Sequence, residues 1–274
     1  MIIWIASYPK SGNTWVRAIL SALEYTEDGI YNPEKLSKIT KFPHPVFFND
    51  FTKDYHNVHE IKKLWISAQQ KINLKNNFTY FKTHHVNCKM GIYPFTDTQN
   101  TAGSIYIIRD PRNVVTSFAN HFVKDIKEAR DVMFNVLMTG TKPPGIFELV
   151  GSWSQNYESW IKFNKNHLLV KYENLISDPE KEIIKMINYI NKFKKLEVSK
   201  KKIKNTIETT SFDSLKEHEK KGHFKEGIIN AETKVKIPFF NLGKKNNWQN
   251  ILDAKIAREI EEKFSKEMLE LGYL

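Results

Sequence analysis

Ile2-Ile3-Trp4-Ile5-Ala6-Ser7-Tyr8-Pro9-Lys10-Ser11-Gly12-Asn13-Thr14-Trp15 changes its pattern twice. Ile2 to Ala6 is an unbroken apolar run rich in β-branched residues, the pattern of a strand buried on both faces of a parallel sheet. Pro9 and Gly12 mark a turn. From Thr14 onward, Trp15, Ile19, Ala22 and Leu23 fall on one helical face. The order is strand, loop, helix. In an open α/β sheet, ligands sit beyond the carboxyl ends of the strands, so Ser7 to Asn13 is the expected place for one. Unpaired backbone N–H groups and the helix dipole favour an anion there. Gly12 allows close approach, Ser11 and Thr14 offer hydroxyls, and Lys10 brings a full charge. The loop lacks both the first Gly and the Lys placement of the nucleotide-triphosphate pattern G-x-x-x-x-G-K-[ST]. A Pro-Gly turn opening a helix is also common without any ligand.

The same pattern recurs downstream. Ser104 to Ile108 leads into Val114 to Phe122, with a Pro at the first helical turn and Val114, Phe118 and Phe122 four apart. Leu168-Leu169-Val170 leads through Asp178-Pro179 to Ile183, Ile187 and Ile190, and Phe78 to Lys82 is a short aromatic strand candidate. Alternation of this kind predicts an α/β fold, a single-domain parallel β-sheet with helices on both faces, spanning residues 1–274. Ile146, Leu149, Val150, Trp153, Tyr157, Trp160 and Ile161 predict one amphipathic helix, and Ile256, Ile260, Phe264 and Met268 a closing helix. Residues 40–75, 124–145 and 217–240 are less regular and are candidate lids over a pocket.

The chain of 274 residues is 41% hydrophobic and carries a formal net charge of +11, enough apolar material for a sizeable core. Its basic residues are mostly Lys, including the runs Lys192 to Lys195 and Lys200 to Lys204, which suit a solvated helical surface. Nucleic-acid binders concentrate Arg and aromatics in a stripe, so no nucleic-acid partner is expected. The lone Cys88 excludes an intramolecular disulfide and suits a reducing compartment. No apolar run approaches the length of a membrane span, and the start lacks a signal-peptide pattern. A cytoplasmic protein without an integral membrane segment is expected.

Three further motifs give the loop its meaning. Tyr8 to Trp15 resembles the 5′-phosphosulfate loop of the cytosolic-type sulfotransferases, Y-P-K-S-G-[ST]-[ST]-W, with Asn13 as the departure. Phe81-Lys82-Thr83-His84 is similar to that family's K-T-H motif. Ile107-Ile108-Arg109 with Ser117 resembles its 3′-phosphate motif. The resemblance implies a fold of single-domain P-loop-type parallel β-sheet flanked by helices on both faces, and a donor, 3′-phosphoadenosine 5′-phosphosulfate (PAPS), with PAP as product and no metal. It implies that Lys10 reaches the bridging oxygen, and that backbone from Ser11 through Gly12, Asn13 and Thr14 to Trp15 cradles the 5′-phosphate. It makes His84 the base, ahead of His85, and has Arg109 and Ser117 clamp the 3′-phosphate. An alcohol needs its proton removed before it attacks, and imidazole titrates in the right range. Arg suits a phosphate monoester because its planar fork binds two oxygens.

Weaker matches keep the same order along the chain. Lys171 to Leu175 places Tyr172 at adenine, and Thr210-Ser211-Phe212 places Phe212 opposite Trp15. Gly243-Lys244-Lys245-Asn246-Asn247-Trp248 matches the family's R-K-G-x-x-G-x-W only in part, because Asn241 and Leu242 replace its Arg and Lys. Lys244 or Lys245 is then the expected substitute. Ser117 is also expected to hold Lys10 when donor is absent. The family's C-terminal dimer motif is missing, with Gln249, Asp253, Ala254 and Arg258 in its places, so family-type dimerisation is not expected and the oligomeric state stays open. The expected activity is in-line sulfonate transfer to a hydroxyl-bearing acceptor of open class, with His84, Lys10 and Lys82 as the catalytic set. A P-loop nucleotide kinase and a non-catalytic polyanion binder are the alternatives; neither accounts for motifs kept in order from Tyr8 to Trp248.

Overall fold

Ile2–Ser7 forms the first strand, β1, and every side chain in it is buried. The structure, a computed structural model, describes residues 1–142, 145–163, 166–224, 226–229 and 233–274, with the side chains of Ile228 and Lys244 outside that description. Thr40–Lys41 is β2, Thr79–Thr83 is β3, Thr101–Ile108 is β4 and His167–Lys171 is β5. They form a five-stranded sheet in the order β2-β3-β1-β4-β5, with each neighbouring pair parallel. The chain steps from β1 to β3 on one side and to β4 on the other, so the carboxyl end of β1 is the switch point where such sheets bind ligands.

Strand alternation divides the core into two layers. Trp4 and Ala6 of β1, with Phe81, Tyr106 and Ile108, face Trp65, Phe118, Trp160 and Ile260. Ile3 and Ile5, with Ile105 and Ile107, face Val16, Ile19 and Leu20 of helix α1 (Asn13–Tyr25), and Ile183, Ile190 and Ile203. Each such side chain contributes about 1.5–3 kcal/mol by burial, so the central strand that carries the loop is anchored from both sides. Asp110 caps helix α2 (Pro111–Phe122) by accepting from Arg112 N, with Pro at its first turn.

Two sequence expectations change. The stretch from Ile146 to Ile161 is a strand, Glu148–Gly151, followed by a helix, Trp153–Ile161. Gly151 adopts a φ of 72°, and Ser152 closes a reciprocal cap with Gln155, so the junction overrides the apparent single periodicity. Trp153, Tyr157 and Trp160 do share a buried helical face. The closing helix is two helices, Ala254–Lys263 and Ser265–Glu270, that break at the buried Phe264. Of the candidate lids, 217–240 contains a short antiparallel pair, Ile228–Ile229 with Lys236–Ile237. Residues 143–144, 225 and 230–232 of the lid segments lie outside the described residues. Among the described residues no helix is long and apolar enough to cross a membrane.

Candidate functional site

The loop between β1 and α1 turns through two left-handed positions, Lys10 at φ 66° and Gly12 at φ 106°. The second requires Gly for space as well, since a Cβ there would lie 2.6 Å from the Tyr172 ring. Ser11 is fully buried, and its hydroxyl has no partner among the described residues. Asn13 differs from the expected phosphate donor. Its amide nitrogen donates to Ile5 O at 3.0 Å and Ser7 Oγ at 3.2 Å, so it ties the loop back to its strand. The Thr14 hydroxyl donates to Glu226 Oε2 at 2.9 Å, a partner the sequence did not suggest.

Beside this loop stands Arg109, directly after β4 and ahead of the Asp110 cap of α2. Its guanidinium lies 4.1 Å over the Tyr172 ring, one terminal nitrogen donates to Lys10 O at 3.3 Å, and its buried Nε has no partner among the described residues. Asp110 does not neutralise it, because that carboxylate is bonded to Arg112 at 2.7 Å. Arg112 in turn bonds Glu261 and stacks on Trp248. Trp15 meets Tyr172 edge-on at 5.6 Å between centroids. Gly243, at φ 56°, leaves its Cβ position to the Phe212 ring.

Ser117, Ser211, Phe212 and Gly243 line the same cavity as Lys10, Gly12, Asn13, Thr14 and Trp15. Lys245 is exposed and away from it, and the Lys244 side chain lies outside the described ones. Asn246, not a lysine, fixes this turn, accepting from Thr116 Oγ1 at 2.7 Å and donating to Asn113 O at 2.9 Å. No hydrogen bond joins Lys10 to Ser117 among the described residues; the Lys10 ammonium sits 3.7 Å over the Phe239 ring.

His84 follows β3 at the far side of the loop. Its Nδ1 lies 2.7 Å from Ser7 O, a carbonyl that can only accept, so Nδ1 carries the proton and the Nε2 lone pair is open. Burial first, then the Lys82 charge, lowers its pKa to about 3, keeping the imidazole neutral. His84 N donates to Glu148 Oε1 at 3.2 Å, and Glu148 pairs with Lys41 at 2.6 Å. Neither Lys41 nor Glu148 carried a sequence signal, and Glu148 fell inside the misread helix. His85 points into the core, stacked 4.1 Å from Phe95 with Nδ1 donating to Val86 O. Burial lowers the pKa of Lys82, and burial followed by Arg109 and Lys82 brings Lys10 to about 7.

Lys10, Lys41, Lys82, His84, Arg109 and Glu148 line one cavity of about 530 Å³, within the range of small-molecule sites. Arg109 lines this cavity and its buried Nε has no protein partner among the described residues, which fits a ligand whose phosphate oxygen accepts from it; Ser11, also without a hydroxyl partner among them, is fully buried and is not part of the lining. Among the described residues, no cluster of three or more His, Cys, Asp or Glu could hold a metal ion.

A five-stranded parallel sheet with a glycine-bearing strand–loop–helix turn at its switch point puts the chain in the P-loop-type class of α/β folds. Within that class the chain belongs to the sulfotransferase domain family, whose model matches residues 2–272. It is 24% identical to human Sulfotransferase 1E1, covering 97% of this chain and 83% of that protein. It is 25% identical to Flavonol 3-sulfotransferase of Flaveria bidentis, covering 94% and 79%. Its fold matches the mouse sulfotransferase SULT7A1 complexed with PAP, at a TM-score of 0.61 and 21% identity over 97% of this chain and 84% of the other. Retinol dehydratase in complex with androsterone and PAP superposes at a TM-score of 0.62 and 15% identity, covering 97% and 80%.

Proposed function

We propose that this sulfotransferase moves a sulfonate group from PAPS to an acceptor hydroxyl, with His84 as base and Lys10 and Lys82 as the charged catalytic groups. The observation that carries the reading is one cavity holding Lys10, Lys82 and His84 together with Arg109 and Ser117. An open Nε2 on His84 takes the acceptor proton as the acceptor oxygen bonds to sulfur. The bond from sulfur to the bridging oxygen breaks, and PAP leaves with its electron pair. Lys10 and Lys82 offset the charge that develops on the bridging and sulfonate oxygens, the type of preorganised field that lowers such barriers. Ser11, Gly12 and the amides through Trp15 hold the 5′-phosphate, Arg109 and Ser117 the 3′-phosphate. Trp15, Tyr172, Ser211, Phe212 and Gly243 form the adenine end.

At the acceptor end, Leu137, Val150 and Phe122 line the cavity along with His84 and Thr139. That lining suits a hydroxyl on an apolar framework, and it is consistent with relatives named for flavonols. The test is incubation with labelled PAPS and a mixed hydroxyl library, followed by mass identification of a sulfated product. Failure of PAP to bind, with stabilisation by ATP and magnesium instead, would overturn the reading.

Lys10 also sets a pH signature. Bound PAP favours the ammonium, so binding draws in a proton near neutral pH, where free Lys10 is only part-charged. PAP affinity should be greatest below about pH 7 and fall above it by up to about tenfold per pH unit until the raised pKa of the complex is reached. Calorimetry in two buffers of different protonation enthalpy measures the uptake. Lys10→Arg should flatten the dependence, and a flat wild-type profile would remove Lys10 from the donor's contacts.

A further inference from the structure

Glu226 belongs to none of the motifs, yet its carboxylate reaches three groups at the heart of the anion site. Thr14 Oγ1 donates to Oε2 at 2.9 Å, Lys82 Nζ lies 3.5 Å from the same oxygen, and Arg17 donates to Oε1. Burial alone would raise this carboxyl's pKa, but Lys82, Arg17 and the hydrogen bonds from Arg17 and Thr14 hold it well below the usual range. Three donors of this cavity region thus converge on one anion, and that anion is part of the chain. The same segment returns over Lys10. Glu219 accepts from Phe239 N at 2.7 Å and Phe240 N at 2.9 Å, which fixes Phe239 on the Lys10 ammonium.

We propose that Glu226 is a tethered competitor for the donor, its carboxylate standing on Thr14 and Lys82 where an oxygen of the donor's phosphosulfate would bind. This rests on the donor-site reading above. A carboxylate and a multiply charged anion cannot share Lys82 and the Thr14 hydroxyl without strong repulsion at this depth. Donor binding therefore requires Glu226 to leave those two groups. Arg17, buried and also bonded to Ile39 O at 3.0 Å, stays behind on α1 as the carboxylate's resting partner. Glu226 thus sets donor affinity below what the cations alone would give, and it discriminates against weakly charged anions, which cannot displace it.

The experiment is PAP affinity by calorimetry for the wild type, Glu226→Gln and Glu226→Ala. Glu217→Gln, an exposed residue paired with Lys220, controls for net charge. Both Glu226 variants should bind PAP about tenfold or more tightly than wild type, with the control unchanged. Equal or weaker binding by folded Glu226 variants overturns the inference and makes Glu226 a structural pin for Arg17. A crystal structure of the wild type with PAP gives a second readout that needs no variant to fold. Glu226 found still bonded to Thr14 and Lys82 beside bound PAP also overturns it. Absence of PAP binding in every protein, wild type included, overturns the donor-site reading and this inference with it.

Discussion

His84→Ala is expected to lose sulfonate transfer by about 10²–10⁴-fold while binding PAP as the wild type does. The separation follows from where the imidazole sits. It is held by Ser7 O through Nδ1, beyond the loop that receives the phosphates, so its removal leaves the donor's cations and amides in place. His84→Gln keeps an amide that can still bond Ser7 O but offers no basic lone pair, and it should be as inactive as Ala. Single-turnover transfer and PAP calorimetry on the same preparations check both halves. Turnover within about tenfold of wild type in either variant would assign proton removal elsewhere. Because His84 is neutral in the free protein, its protonation should not limit donor capture at pH values well above its pKa of about 3.

How much of this was legible before the structure depended on whether a residue's role follows from local pattern. Ile2 to Ala6 could be placed because an apolar β-branched run with no alternation has few other homes, and all of it is buried in the central strand. Gly12 was legible as a close approach, although its neighbour is the Tyr172 ring from a distant segment. Asn13 and Thr14 show the limit. Their side chains can donate to phosphate, but a sequence does not say where they point, and one points back to Ile5 and the other to Glu226.

Glu226 and Glu148 were missed for a different reason. Glu226 lies in a stretch without usable periodicity and Glu148 in one whose spacing imitated a helix, and each has meaning only through partners far along the chain: Arg17 and Lys82 for the first, Lys41 and His84 for the second. The Ile146 to Ile161 error has a local cause. Apolar residues on a short strand and on the helix after it fell in a spacing that imitates one helix, and Gly151 followed by the Ser152 cap was the signal against it.

Arg109→Ala should weaken PAP binding by about 100-fold or more, in line with removing one partner from a desolvated charge pair, and leave binding of AMP, which has no 3′-phosphate, nearly unchanged. Arg109 carries more than a shared role in this chain. Asn241 and Leu242 stand where the resembling motif has Arg and Lys, and Lys245 is exposed outside the cavity. Asp110, the nearest acid in sequence, is committed to Arg112, and among the described residues Arg109 forms no salt bridge of its own, the buried Glu173 carboxyl acting on it only through space. Stacking on Tyr172 fixes the plane of the guanidinium, so its fork is oriented before a phosphate arrives. Arg109→Lys should recover only part of the affinity, because a point charge cannot form the two parallel bonds. The measurement is the ratio of PAP to AMP affinity in each protein. A variant that weakens both ligands equally would mean that Arg109 acts by holding Lys10 O and the loop, since that hydrogen bond serves either nucleotide alike. Collapse of the ratio alone assigns Arg109 to the second phosphate.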